Sequence, residues 1–418
     1  MRTRPSHRAR NTSRRGSVYL LVLAAGVVLT SMGIAGLALL RVQRAAGERD
    51  DGAQRARLAA QSAMEAGVGV IAADPAGTSW RVAQNSGLLF SEMSIGDSTC
   101  SVTISDPGGR SLSLSPSGPV VLVARASQGG ANQAISATFS PVGVALPVMK
   151  SALWAGGTLS LKGTLYADAG IGSNTSVIAA AGVVRADVTG PSISGTTYHG
   201  TNKIGASVVM PSPRLIDEWV ARATSIPFAA LPSGKIDKVV LAGGTNPFTT
   251  SVNSAGIYAI DCAGRDITIC DARISGTLIL LNPGPGSIIT KSVLMEPYLR
   301  DYPALLVRGS IAISMNSSDL SESEAGVNFN PALAPYRAST DADQSDFYPS
   351  QISGITYVSG ALTLRSSSTF EGVVLAGGAI TMADTVTLRS RPPESVVAGF
   401  CEITGFKLSR SSLARKVD

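Results

Sequence analysis

Leu153-Trp154-Ala155-Gly156-Gly157-Thr158-Leu159 is echoed by Leu241-Ala242-Gly243-Gly244-Thr245 and by Val374-Leu375-Ala376-Gly377-Gly378-Ala379-Ile380. Two looser copies keep the same form: Val307-Arg308-Gly309-Ser310-Ile311-Ala312-Ile313 and Val358-Ser359-Gly360-Ala361-Leu362-Thr363-Leu364. Each is a short apolar strand, a bend of one or two glycines, and a second alternating strand. Asp266-Ile267-Thr268-Ile269 and Gly276-Thr277-Leu278-Ile279-Leu280 continue the style. One such unit cannot bury its own apolar face, whereas a stack of them makes a continuous core. The repeat therefore predicts a stacked β coil over residues 146–405, with a β-sandwich as the alternative that its irregular spacing leaves open. Two insertions interrupt the pattern. Within 210–235, Ser212-Pro213-Arg214-Leu215 opens a short helix with a capping Ser, Pro at the first turn and early acids. Its Leu215, Ile216 and Trp219 are expected to face inward. Residues 315–350 form a long polar excursion, and loops of that length tend to be functional or mobile.

Composition agrees with a β-rich chain. Of 418 residues, 44 are Gly, aromatics make up 5 % and charged residues only 15 %, which excludes a disordered polyelectrolyte. The net charge of +6 is local. Residues 1–16 carry six arginines and no acid; taking them from the 35 basic residues leaves 29, equal to the 29 acids. Charge confined to a terminal tail points to topology rather than to nucleic acid, which needs a basic folded face.

The tail leads into SVYLLVLAAGVVLTSMGIAGLALL at 17–40, 24 residues without a charge. A bilayer core needs about 20 apolar residues in a helix, so this run can span. It is too long for the apolar core of a cleaved secretory signal. The arginines of the leader outweigh those beyond Leu40, which keeps the N-terminus cytoplasmic and exports the rest by the positive-inside rule. Residues 41–74 continue as a helical stalk, with Leu58, Met64, Val68 and Ile71 expected on one face. Residues 75–145 then read as a small antiparallel head. Its strands are Cys100–Ser105, Val120–Ala126 and Ala134–Phe139, with Ser111–Ser115 as a short extra one. Residues 406–418 are left as a tail.

Arg15-Gly16-Ser17 before an unbroken apolar helix, followed by RARLAAQSAMEAG at 55–67, resembles type IV pilin-like proteins. The likeness is strongest to the PilX-type minor pilins and the large minor pseudopilin of type II secretion. It implies a prepilin peptidase cut between Gly16 and Ser17, a helix packed among other pilin-like subunits, and a β-rich head outside the bacterial inner membrane. Ser17 and Leu21 stand where major pilins carry Phe and Glu, which favours a minor subunit or an uncut anchor. The body resembles the right-handed β-helix domains attached to some pilin-like surface proteins. The fold class expected is thus α+β: a membrane-spanning helix with a small sheet, then an irregular right-handed β-helix.

Chemistry-bearing residues are few. The histidines are His7 and His199 alone, and no Ser-His-Asp elbow, P-loop or Rossmann fingerprint occurs. No cofactor is called for. Asp341, Asp343 and Asp346, with Glu322 and Glu324 nearby, offer the hard oxygens that calcium prefers, against a solvated-loop reading. Cys262 and Cys270 are a disulfide candidate in an exported protein, against free buried thiols. Asp261, Asp266 and Asp271 are the acids that adjacent β-helix turns could bring together for glycoside cleavage, against solvent-facing decoration. The expectation is a non-catalytic structural subunit; the alternative is a membrane-anchored β-helical protein that binds or cleaves carbohydrate.

Overall fold

Helix α1 runs from Arg15 to Ala73 without a break. The computed structural model describes residues 15–83, 87–109, 111–114, 117–195, 198–409 and 414–417; the arginine leader up to residue 14 and His7 lie outside them. Good helix formers and the absence of proline between Arg15 and Pro75 carry α1 through its glycines. It ends at Asp74, whose carboxylate accepts hydrogen bonds from Ser79 and Thr78. The Ser79 hydroxyl, then its amide, hold that carboxyl down at about 2.

The two halves of α1 have different surroundings. Side chains from Val18 to Val42 are exposed, Leu29 by 70 %. Beyond them Ala56, Ala59, Ala60, Ala63, Met64 and Ile71 are buried against a sheet. That sheet contains β1 (Leu88–Ile95), β2 (Ser98–Ser105), β3 (Val120–Gln128) and β4 (Ala131–Ala145), paired antiparallel in order. The buried face of α1 is small: a Cβ on Gly67 would come within 2.9 Å of Val102 Cγ1. Helix and sheet meet closely because alanine and glycine line the contact. Met64 and Ile71 are buried on this face and Val68 packs against it as expected, but Leu58, expected with them, is 56 % exposed; a row of alanines fills the rest of the packed side. Residues 111–114 do not form the short strand expected over Ser111–Ser115, whose last residue lies outside the described ones. Leu112–Leu114 is a 3-10 turn, at whose start the Ser111 and Ser113 hydroxyls are hydrogen-bonded at 2.8 Å.

The body is a parallel β coil of three stacked ladders. One ladder stacks Leu278 on Leu305, Leu305 on Thr356, and Val374 on Leu153, which meets Ile171 and then Val188. The coil order differs from the chain order. Residues 153–204 build one end of the stack. The chain then crosses along the outside through the helix Leu215–Val220, starts again at Thr224–Ser225 and climbs back. Its last coil pairs with its first: Val374–Ala376 with Leu153–Ala155, Ile380–Met382 with Leu159–Leu161, and Val386–Leu388 with Leu165–Ala167.

The repeated glycines explain why the coils can stack. Gly157 N–H donates to Gly378 O and Gly378 N–H to Gly360 O; Gly360 N–H in turn donates to Gly309 O. A Cβ on Gly378 would lie 2.8 Å from the Gly360 backbone, and one on Gly360 2.6 Å from Gly309 O. Four of the five echoed segments thus form one corner ladder. The fifth differs: Gly243 packs on Tyr298, at 2.9 Å from a built Cβ.

Inside the coil, a continuous apolar core runs from Leu153 to Leu388. The outer face of one ladder is also covered. Leu215, Ile216 and Trp219 of the crossing helix, together with Phe400, pack on Ile257, Ile279, Leu306 and Tyr357. Those strands are therefore buried on both faces and read as unbroken apolar runs.

Part of the segment left as a tail, residues 406–408 and 414–417, is strand. Cys401–Leu408 leaves the body and pairs antiparallel with β4, Cys401 opposite Ala145 and Leu408 opposite Phe139. Residues 414–417 pair with the same strand farther along. The whole β coil is thus an insertion between two neighbouring strands of the first sheet.

Candidate functional site

The excursion 315–350 leaves the coil after Ile311–Met315 and returns at Gln351–Val358. It is an ordered cap. Leu320, Phe329, Ala334 and Tyr348 pack with Val240, Ala242 and Leu294 on the outside of a coil ladder. Arg273, only 1 % exposed, pins it. Its guanidinium donates to the carbonyls of Phe329, Ala334 and Pro335 at 2.7–2.8 Å and pairs with Glu296 at 3.1 Å.

Within this cap the fold gathers carboxylates, one buried and the others toward its surface. One oxygen each of Glu322, Asp341 and Asp343 lie within 4.8 Å of one another. Glu322 follows the capping residue Ser321 on a short turn of helix and is fully buried. Glu322 Oε1 accepts from Phe329 N–H at 2.5 Å and from Tyr348 O–H at 2.9 Å, and Oε2 from Asp346 N–H at 3.1 Å. Asn330 Nδ2 donates to Asp341 Oδ2 at 3.1 Å and to Asp346 Oδ2 at 3.0 Å. Desolvation and then the neighbouring Asp341 raise the Asp346 carboxyl above its usual range. Hydrogen bonds from Ser345 lower that of Asp343. Of the acids named from the sequence, Glu322, Asp341 and Asp343 meet, and Asp346 sits beside them. Glu324 is drawn into the cap of the short helix through its N–H. Asn330 and Tyr348 were not legible as partners, because an isolated Asn or Tyr in a polar stretch carries no signal of burial.

The other candidates do not converge. Asp261 accepts from Ala263 N–H and from Asn282. Asp266 accepts from Gly286 N–H, and Asp271 pairs with Lys291 at 2.6 Å. Each acid is engaged within its own corner. The oxygen and sulfur atoms of Asp237, Cys270 and Asp271 also cluster within 4.8 Å, but Lys291 supplies that group with a cation. His199 is exposed on its coil. Gly16 and Ser17 lie in the first turn of α1. The cysteine expectation is corrected: Cys262 and Cys270 are free thiols. Cys262 points into the coil core, and Cys270 Sγ donates to Asp237 Oδ1 at 3.3 Å on the other side. Burial first, then acidic neighbours, push both thiols up to about 11.

Head and body are joined through a buried acid. Glu218, on the crossing helix, is fully buried and accepts from Ser117 Oγ of the head at 2.5 Å and from Arg222 at 2.6 Å. Nearby Arg81 donates to Gly118 O, and burial pushes its guanidinium down to about 10, partly offset by Glu218 and Asp106. Glu218→Ala removes the acceptor of both bonds and should cost about 1–3 kcal/mol, read as a lower melting temperature and faster cleavage between head and body. Glu218→Gln, which keeps an acceptor, should lose less; equal melting of all three proteins would refute the junction.

No family model matches the chain, and no curated protein matches it. Among solved structures, it is similar to the competence-associated pilin ComZ from Thermus thermophilus, at 11 % identity and a TM-score of 0.30, over 79 % of this chain and 87 % of that one. It is also similar to an ice-binding protein from the Antarctic ascomycete Antarctomyces psychrotrophicus, at 14 % identity and a TM-score of 0.26, over 60 % of this chain and 100 % of that one. A glycosylated ice-binding protein from an Arctic yeast matches at 13 % identity and a TM-score of 0.27, over 61 % of this chain and 97 % of that one.

Proposed function

We propose that this chain is a non-catalytic structural subunit of pilin-like type, anchored in the bacterial inner membrane by α1, with its β coil exported. The observation that carries the reading is the division of α1. One uninterrupted helix presents an exposed apolar surface over residues 18–42 and then packs a small-residue face on a sheet. An apolar surface that long is stable in lipid or among other apolar helices, not in water. The arginine leader supports a cytoplasmic N-terminus. The β coil supports a rigid exported head, because its strands pair within the body. The partners of this reading are membrane lipid, other pilin-like helices and a prepilin peptidase.

The test is the mature N-terminus, read by mass spectrometry of the protein from native membranes. Ser17 as the first residue is expected, and Gly16→Arg should leave the chain at full length. A native protein that keeps its leader beside an active peptidase would refute pilin-type processing. One observation favours a second reading, a carbohydrate-binding or carbohydrate-cleaving surface protein. A cleft of about 340 Å³ is lined by Tyr302, Tyr336, Arg337, Gln351 and Arg391. Release of reducing ends from a polysaccharide by the purified protein would favour it.

A further inference from the structure

We propose that Glu322, Asn330, Asp341 and Asp343 bind a divalent cation, calcium by the chemistry of its ligands, and that this cation locks the excursion 315–350 as a cap on the β coil. The inference does not depend on the membrane reading.

Two independent observations meet at this place. The first is charge without compensation. Glu322 is fully buried, yet all three of its hydrogen-bond donors are neutral: two backbone amides and a tyrosine hydroxyl. Among the described residues, no lysine or arginine forms an ion pair with Glu322, Asp341, Asp343 or Asp346. A buried carboxylate is ordinarily paired or metal-bound. Arg273, the cation that pins the same cap, is directed to Glu296 and to carbonyls instead.

The second observation is an orphaned ligand atom. Asn330 is 2 % exposed, and its Oδ1 has no hydrogen-bond partner. The amide of that side chain is wedged against Asp341 and Asp346. A half-turn of the amide exchanges nitrogen and oxygen with almost no change in shape. It turns Oδ1 toward the carboxylates and withdraws the donor from them. A cation would favour that orientation, adding a neutral carbonyl oxygen to three carboxylates.

The donor set identifies the class of ion. Every ligand is a hard oxygen, with no sulfur or imidazole, which suits calcium or magnesium rather than zinc or copper. Calcium accepts carboxylate and amide oxygens in an irregular shell, whereas magnesium demands near-octahedral geometry and keeps its waters. The ligands come from a helical turn, a buried loop and the exposed 341–343 segment. A cation there would cross-link the start of the cap to its end. The corner at Asp237, Cys270 and Asp271 lacks this logic because Lys291 already pairs with it.

The experiment uses the full chain in detergent, stripped with EDTA and titrated with terbium while tyrosine is excited. Tyr348 touches Glu322 and would sensitise a bound terbium ion. Saturable luminescence displaced by calcium is expected, together with a calcium-dependent rise in melting temperature. Asp343→Asn alters an exposed side chain, and Asn330→Ala leaves every carboxylate; each should weaken binding at least about tenfold. Asp319→Asn, an exposed acid outside the cluster, should titrate as the parent does. Absence of calcium-displaceable luminescence, or an unchanged titration in both Asp343→Asn and Asn330→Ala, overturns the site. Displacement by magnesium at the same concentration as by calcium overturns the assignment to calcium.

Discussion

Gly377→Val should abolish cooperative folding of the β coil, whereas Gly170→Ala should change its stability by less than about 1 kcal/mol. A Cβ on Gly377 would lie 2.6 Å from Ser359 O, and one on Gly170 would meet only Asp187 O at 3.8 Å. The neighbour at Gly377 is backbone, held in place by its own ladder: Gly377 N–H donates to Val358 O at 2.8 Å, and Gly156 N–H to Ala376 O at 2.7 Å. It cannot swing aside as the end of a side chain would. Overpacking ordinarily costs about 1–3 kcal/mol. Prising two coils apart also breaks several backbone hydrogen bonds, each worth about 0.5–1.5 kcal/mol. The loss should therefore reach at least about 3 kcal/mol. It falls at the contact between the last coil and the one before it, where Ser353–Val358 pairs with Glu371–Ala376. Circular dichroism melts and limited proteolysis of the detergent-solubilised protein would show it as a lost transition and rapid cleavage within 146–400. A Gly377→Val protein that melts with the parent would mean that the coils do not stack on this corner.

Leu29→Arg combined with Met32→Arg should move the chain from the carbonate-resistant membrane fraction to the soluble or aggregated fraction. Both residues lie near the middle of the uncharged run and are about 70 % exposed, so neither substitution disturbs packing within the chain. Each arginine at the centre of a spanning helix costs about 2.5–3.5 kcal/mol, together about 5–7 kcal/mol. Exchanging the charges of Arg44 and Glu48, ion-paired at 3.0 Å outside the run, as Arg44→Glu with Glu48→Arg should have no such effect. Undiminished carbonate resistance of the Leu29→Arg, Met32→Arg protein would remove the membrane anchor from the account.

Much of the architecture was legible because it rests on local periodicity. The uncharged run at 17–40 marks a helix with no need of a protein partner. The Gly-Gly corners mark places where backbones meet, and Gly157, Gly378 and Gly360 do stack. Ser212-Pro213 followed by Leu215, Ile216 and Trp219 announced a short helix with one buried face; the helix and its buried face are there, but it begins at Leu215 after Arg214, so Ser212 and Pro213 lie in the turn before it rather than as its cap and first residue. The candidate cation cluster was half legible. Asp341 and Asp343 stand out as acids in a polar stretch, but Glu322 there looks like any solvated glutamate.

What the sequence by itself determined is therefore the character of each segment: apolar helix, alternating strand, glycine corner, polar excursion. Each follows from interactions within a few residues. Only the tertiary structure decided which coil lies on which. Parallel backbone pairing is nearly indifferent to side-chain identity, so nothing local marks that Val374–Ala376 lies on Leu153–Ala155. Antiparallel backbone pairing carries no more local mark of its partner, which hid Cys401–Leu408, the strand that returns to pair with β4. Burial of Glu322, Asn330 and Arg273 was likewise settled in three dimensions. A polar side chain enters the interior only where distant segments bring it partners, and those partners are assembled by the fold.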